Sequence, residues 1–321
     1  MKKQGVINCL ITSASAKVLL VEAFKAVLHP LGARVIASDM DRDCCAGHFA
    51  DGFEWLPKDD APDYESRLLD ICERHQIALL IPTRDGELQR LASLKPTLEA
   101  MGVTVPLPDA AVLAACQDKK NFQAYCVEKG FPVLPLADVH KENAFPIFMR
   151  HRDGTFTGGG VLVESLSAFE RLKVDINDYV VQPYVQDREI SCDLLLDFEG
   201  KPMQAVARER LKLVNGESWR SRIVSLPDAE KLALTLAQDL GLRGHNLVQM
   251  FYSDTEGPRL IEVNARFGGC SNLSIQGGLS SPERIVQLMQ GAEAEARLAR
   301  PIRIGLTSLR YATDRLVMPS G

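Results

Sequence analysis

Glu262, Asn264 and Arg266 stand two residues apart in the stretch Leu260–Cys270, and in an extended chain side chains two apart share a face. One face of a strand would therefore carry a carboxylate, an amide and a guanidinium. A buried face rejects an acid unless a cation compensates it, and a hard divalent cation takes oxygen ligands of this kind. A guanidinium fork beside them suits a phosphate held through the metal. The same spacing is equally met by a half-exposed strand on which Glu262 pairs with Arg266 in solvent, and the stretch alone leaves both readings open. Gly268, Gly269 and Cys270 follow directly. With no base near it in sequence, Cys270 reads as a small packing residue.

Other residues with chemical potential lie upstream. Asp118, Lys119 and Lys120 open a helix that runs to about Lys129; the acid is an ordinary cap and paired lysines are ordinarily solvated. Phe145–Arg150 reads as a strand ending in a cation. It leads through His151, a local hydrogen-bonding residue, into the loop Gly154–Gly160. Gly158, Gly159 and Gly160 expose backbone N–H groups that could fold over phosphates, although a plain hairpin loop has the same composition. The strand Tyr179–Val185 carries Gln182 and ends in a proline bend, with Glu189 shortly after. At the front of the chain, Arg84, Asp85 and Glu87 would either contact a small substrate or cap the helix behind them.

These groups need elements to hold them. Val6–Thr12, Arg34–Ser38, Ile77–Pro82 and Val103–Val105 are apolar runs separated by helix-period segments at Val18–Leu28, Tyr64–Arg74 and Glu87–Met101. That rhythm predicts a doubly wound, mostly parallel sheet with ligands at the carboxyl ends of its strands. The first turn, Thr12–Ala16, contains no glycine, which argues against a dinucleotide-binding fold. A boundary falls near Pro106–Asp109. Beyond a short helix at Ser167–Lys173, runs at Ile190–Phe198, Gln204–Leu213 and Ser221–Val224 predict an antiparallel sheet. Asp228–Leu240 is a helix stopped by Gly241, and His245–Tyr252 with Arg259–Asn264 forms a hairpin that sets Gln249 beside Glu262. Pro282–Leu298 reads as helical and Pro301–Tyr311 as a returning strand.

The chain has 321 residues, 46% hydrophobic, with a formal net charge of −5. This is enough for two or three domains with a sizeable core, and it argues against a general nucleic-acid binder. Eight cysteines without a C-x-x-C pair read as reduced thiols of a cytoplasmic protein. Met1-Lys2-Lys3 and the apolar run behind it superficially resemble a secretion signal, but Val6–Thr12 is short, interrupted by Asn8, and better explained as a strand. No apolar stretch approaches ~18 residues, so no membrane span is expected.

Taken in order, the parallel-sheet domain, the Asp118-Lys119 helix start, the strand and glycine loop, Gln182–Val185 with Glu189, and Gln249 with Glu262, Asn264 and Arg266 resemble the ATP-grasp superfamily. The closest likeness is to stand-alone relatives of the carbamoyl-phosphate synthase large subunit. The resemblance covers nearly the whole chain and implies a mixed α/β and α+β architecture. Residues 1–110 would form an N-terminal doubly wound parallel-sheet (pre-ATP-grasp) domain. A two-lobed ATP-grasp fold would follow, with a small lobe at 111–180 and a large lobe at 181–321. It implies that Lys119 and Arg150 hold ATP phosphates under the closed loop containing Gly158, Gly159 and Gly160. Gln182 and the backbone at Val185 would bond adenine, and Glu189 the ribose. Gln249, Glu262 and Asn264 would hold one or two Mg²⁺, with Mn²⁺ as a substitute, and Arg266 would face the transferring phosphoryl group. Arg84, Glu87, Gly268 and Gly269 are the substrate-facing candidates. The family commonly has lysine where this chain has Arg150 and an acid where it has Gln182.

The implied activity is ATP-dependent joining of a small carboxylate, an amino acid being one candidate, to an amine or ammonia through an acyl phosphate. An ATP-grasp phosphotransferase and a non-catalytic nucleotide-binding regulatory protein are the rival readings. Nucleic acid and membrane are not expected partners, and a homodimer is the usual prior.

Overall fold

A computed structural model describes residues 6–141, 143–153, 160–214 and 216–317. The glycine-loop assignment, Gly158 and Gly159 included, lies outside these residues except at Gly160.

The N-terminal elements are β1 (Asn8–Thr12), α1 (Val18–Leu28), β2 (Val35–Asp39), β3 (Gly52–Trp55), α2 (Tyr64–Arg74), β4 (Ile77–Pro82) and α3 (Asp85–Ala100). The strands form a parallel sheet in the order β3-β2-β1-β4. β1, β2 and β4 are apolar runs because helices cover both faces, and Leu10, Ile11, Val35, Ile36, Leu79 and Leu80 are fully buried. Edge strand β3 was absent from the predicted rhythm, since its Gly-Phe-Glu-Trp is short and half-buried throughout. The run Val103–Val105 forms only one parallel bridge, Thr104 beside Leu79, because Pro106 cannot donate to a longer ladder.

Two helices follow, α4 (Ala110–Gln117) and α5 (Lys119–Lys129). Asp118 lies between them and caps α5, its Oδ1 accepting from the backbone N–H of Lys120 and Asn121 at 2.9 and 3.0 Å. A small antiparallel sheet, order β6-β5-β7, contains β5 (Ile147–His151), β6 (Val161–Val163) and β7 (Tyr179–Pro183), with helix α6 (Leu166–Leu172) between the last two. Its own core is Val139, Ile147, Met149, Val163 and Val181. Gly160 enters β6 so close to β5 that a Cβ would stand 2.3 Å from the Phe148 ring.

The rest of the chain builds a six-stranded antiparallel sheet. Its elements are β8 (Arg188–Leu196), β9 (Pro202–Val214), β10 (Glu217–Ile223), α7 (Pro227–Leu240), β11 (Gly244–Ser253), β12 (Gly257–Asn264), α8 (Ser271–Ser274), α9 (Ser281–Met289), α10 (Glu293–Arg297) and β13 (Thr307–Leu309). The strand order is β12-β11-β8-β9-β10-β13. Helix α9 ends before α10 at a turn holding Gly291 (φ 74°), so the predicted helix Pro282–Leu298 is two. On the back of this sheet Ile190, Cys192, Leu194, Val248, Met250 and Val263 join one core with α7 and with α3 of the N-terminal part. Period-two alternation turns the other residues forward. There Glu262 lies opposite Gln249, Gln249 opposite Ser191, and Ser191 opposite Arg208, a polar row running across four strands.

Candidate active site

A cleft of about 990 Å³ lies between the carboxyl ends of the parallel strands and the front of the large sheet. Ser13, Asp39 and Arg84–Glu87 line one wall, and Arg208, Gln249, Glu262, Asn264 and Arg266 the other. This is where an open α/β sheet places its ligands.

Glu262 is the meeting point of three elements. Lys119 Nζ, in the first turn of α5, stands 4.0 Å from Glu262 Oε2, and Arg150 Nη1, on β5, 3.8 Å. Both separations exceed hydrogen-bond length, so the cations aim at the carboxylate across a gap. Burial lowers the pKa of both, and for each Glu262 is the largest opposing influence. Arg150 Nη2 donates to Gln182 Oε1 at 2.8 Å, while its buried Nη1 has no hydrogen-bond partner among the described residues. Gln182 is itself buried, its amide N–H groups reaching Gln123 Oε1 (3.1 Å) and the Leu134 carbonyl (3.2 Å). In this state Gln182 orients Arg150; Val185 follows at the half-buried end of the bend.

On the other side of Glu262, Gln249 turns its amide oxygen to Arg210 Nη1 (2.6 Å) and donates its amide nitrogen to Glu262 Oε1. Arg210 also pairs with Glu189. Burial raises the Glu189 pKa against the lowering effect of Arg210. Asn264 Nδ2 lies 3.5 Å from Glu262 Oε1, and its Oδ1 accepts from Arg266 Nη2 at 3.3 Å. Arg266 does not pair with Glu262. Its guanidinium crosses to Asp85 at the start of α3, Nε to Oδ2 at 2.9 Å, and Nη1 donates to the Phe267 carbonyl. The solvent-pair reading of the opening stretch is thus replaced by two separate charge contacts.

One carboxylate and two amides therefore lie together, both amides approaching Glu262 Oε1 by nitrogen and turning their oxygens to Arg210 and Arg266, with no group of three His, Cys, Asp or Glu among the described residues. Such a set suits Mg²⁺ only with phosphate and water oxygens completing the octahedron. Gln249 and Asn264 would both have to turn their amides over to present oxygen beside Glu262.

The substrate-facing candidates are placed differently from one another. Arg84 is exposed at the cleft wall. Glu87 is only 2% exposed and accepts from the backbone N–H of Thr83 (3.1 Å) and Arg84 (3.3 Å), closing the start of α3. Gly268 and Gly269 line the cleft; a Cβ on Gly268 would stand 2.9 Å from Leu247, and Gly269 accepts at its carbonyl from Arg310 (2.7 Å).

Burial pushes the Glu87 pKa up to about 7, its hydrogen bonds only partly offsetting this. Because the folded value lies above the unfolded one, Glu87 favours folding most below pH ~4.5, and that contribution is lost as pH rises toward ~7. Glu87→Gln is expected to match the parent in urea unfolding at pH 4.5 and to exceed it by about 2–3 kcal/mol at pH 8. Equal differences at both pH values would show that Glu87 is not held this way.

Sequence reading passed over Arg208, Arg210, Asp193, Ser191 and Lys17. The alternation Val206, Arg208, Arg210 along β9 was visible and puts both arginines on one face. Asp193 had no such signal, since it sits in the apolar run of β8.

A small antiparallel lobe and a large antiparallel sheet behind a parallel-sheet domain, with basic groups from α5 and β5 converging on an acid of β12, make up the ATP-grasp fold. The chain therefore has the ATP-grasp fold. Residues 9–106 match the family model of the PylC-like N-terminal domain, and residues 175–309 that of the ATP-grasp in the biosynthetic pathway with Ter operon. Among solved structures it is similar to the biotin carboxylase domain of 2-oxoglutarate carboxylase from Hydrogenobacter thermophilus, in complex with MgADP, ADP and bicarbonate. That likeness has 14% identity and TM-score 0.70 over 94% of this chain and 73% of the other. N5-carboxyaminoimidazole synthetase from Staphylococcus aureus gives 16% and 0.68 over 90% and 78%. L-amino acid ligase from Bacillus licheniformis gives 14% and 0.69 over 94% and 78%. At these identities the likeness is one of fold. No curated protein sequence matches the chain. No helix among the described residues is long and apolar enough to cross a membrane.

Proposed function

We propose that the protein is an ATP- and Mg²⁺-dependent ligase that activates a small carboxylate as an acyl phosphate and joins it to an amine or ammonia. The observation that carries this reading is the convergence of Lys119 and Arg150 on Glu262 across gaps of 4.0 and 3.8 Å, with Asn264 alongside. Cations held near, but not on, a carboxylate leave room for phosphate oxygens and a metal between them. Lys119 and Arg150 would hold the phosphates, Glu189 the ribose, and Gln182 and the Val185 backbone the adenine. Glu262, with Gln249 and Asn264 turned over, would hold Mg²⁺ or Mn²⁺. Bound metal would offset charge on the transferring phosphoryl group.

Arg266 would stabilise the same charge from the acceptor side, oriented by Asp85 so that little reorganisation is needed during transfer. Arg84, Glu87, Gly268 and Gly269 would shape the acceptor end of the cleft, with Gly158, Gly159 and Gly160 closing over the nucleotide. Domain limits at residues 110 and 180, a cytoplasmic location and a homodimer belong to the same reading.

A screen of acid and amine pairs for ADP release, with mass spectrometry of the product, tests it. The expected result is ADP formation that requires both an acid and an amine and yields an amide or carbamate. A stable phosphate ester would instead favour the phosphotransferase reading. Nucleotide binding with no turnover for any pair would favour the regulatory one.

A further inference from the structure

Arg208 on β9 and Ser191 on β8 are register partners on the front of the large sheet, and both line the cleft. They are 2% and 1% exposed, a setting in which polar atoms are normally all bonded. Arg208 Nε is satisfied by Asp193 Oδ2 at 2.7 Å. Its Nη1 and the Ser191 hydroxyl have no hydrogen-bond partner among the described residues, a costly arrangement for adjacent buried donors. Close to them the chain places Gly268, where an added Cβ would stand 3.8 Å from Arg208 Nη2, so this position puts no side chain against the guanidinium.

We propose that Arg208 and Ser191 form an oxyanion recess in the cleft floor that receives the carboxylate-type group of the acid substrate. Within the ligase reading, on which its role rests, this names the substrate class as a small monoanionic oxyacid. One guanidinium edge and one hydroxyl on neighbouring strands present two donors, matching the two oxygens of a planar carboxylate. A phosphate dianion suits the recess less well, because Asp193 already balances the Arg208 charge. Lys17 lines the same cleft with no ion pair or hydrogen bond of its side chain among the described residues, leaving a second cation on the approach. Bicarbonate and an organic acid share the required chemistry.

The test is calorimetric titration of acetate, glycine and bicarbonate into the full chain with Mg²⁺ and a non-hydrolysable ATP analogue, in parent, Ser191→Ala and Arg208→Lys proteins. At least one probe is expected to bind the parent. Its affinity should fall about fivefold in Ser191→Ala and about tenfold in Arg208→Lys, with analogue affinity unchanged. Binding of bicarbonate alone, or of acetate and glycine, identifies the source of the oxyanion. The recess is overturned if no probe binds the parent, or if Ser191→Ala binds the probes as the parent does, the result expected where water alone fills it. Ser191→Ala removes an unbonded hydroxyl and carries the test even if Arg208→Lys fails to fold. Should the analogue fail to bind while the probes bind in a Ser191-dependent way, the ligase reading falls and the recess stands.

Discussion

Glu262→Ala is expected to lower ATP turnover by about a thousandfold or more. Glu262 is the carboxylate toward which Lys119 and Arg150 both point, while the nearby Asn264 and Gln249 side chains are neutral amides. Two amides do not replace a carboxylate for a hard divalent cation, so Mg²⁺ would be lost from the side facing the protein. The same change removes the counter-charge of the two cations. Metal-free ADP should therefore bind the variant at least as tightly as the parent, while the Mg²⁺-dependent gain in affinity disappears. ADP release measured against Mg²⁺ concentration, together with calorimetry of ADP with and without the metal, separates the two effects. Undiminished turnover would sink the assignment of the site.

Asp193→Ala is expected to destabilise the fold by about 3–5 kcal/mol, read as a lower urea midpoint. Asp193 is completely buried, yet four side chains satisfy it: Arg208 Nε at 2.7 Å, Ser274 Oγ at 2.7 Å, Ser271 Oγ at 2.5 Å and His245 Nε2 at 3.3 Å. Ser271 also accepts from the Gly268 N–H at 2.8 Å, and His245 stacks on Phe267 with ring centroids 3.9 Å apart. This carboxylate thus ties the loop after Arg266 to β8. Its removal leaves the Arg208 guanidinium buried without a counter-ion, which is the costly half of breaking a buried pair.

Burial by itself would raise the Asp193 pKa, but Arg208, then the His245 and Ser271 bonds, outweigh it and hold the carboxyl below the usual range. With the folded value depressed, this stabilisation is complete above pH ~4 and is lost only as pH falls through the folded value. The parent–variant difference should accordingly be flat from pH 5 to pH 8 and shrink on strong acidification. A difference under about 1 kcal/mol at pH 7 would show the network to be peripheral.

Much of the architecture was legible because it rests on periodicity. Apolar runs alternating with helix-period segments announced the parallel sheet, and the runs His245–Tyr252 and Arg259–Asn264 announced the hairpin in which Gln249 and Glu262 are direct partners. Edge strand β3 and the break between α9 and α10 were missed, since four half-buried residues and one Gly-containing turn alter the pattern too little to be read locally. Around Glu262 the residue types were visible but their partners were not. Arg266 reaches Asp85, 181 positions away, a contact that depends on how the large sheet is set against the parallel-sheet domain, and Arg150 is engaged by Gln182 from the neighbouring strand of the small sheet, a pairing set by strand order and register.

By itself, then, the sequence determined the order and kind of most of the elements and the face on which Glu262, Asn264 and Arg266 project, because backbone alternation is local. Tertiary structure alone decided that Glu262 meets Lys119 and Arg150 rather than Arg266. It also decided that Asp193 is a buried anchor and that Arg208 and Ser191 lie side by side with unbonded donors. Charge pairing and desolvation depend on distances across the cleft and the sheet, and those are set by packing rather than by spacing along the chain.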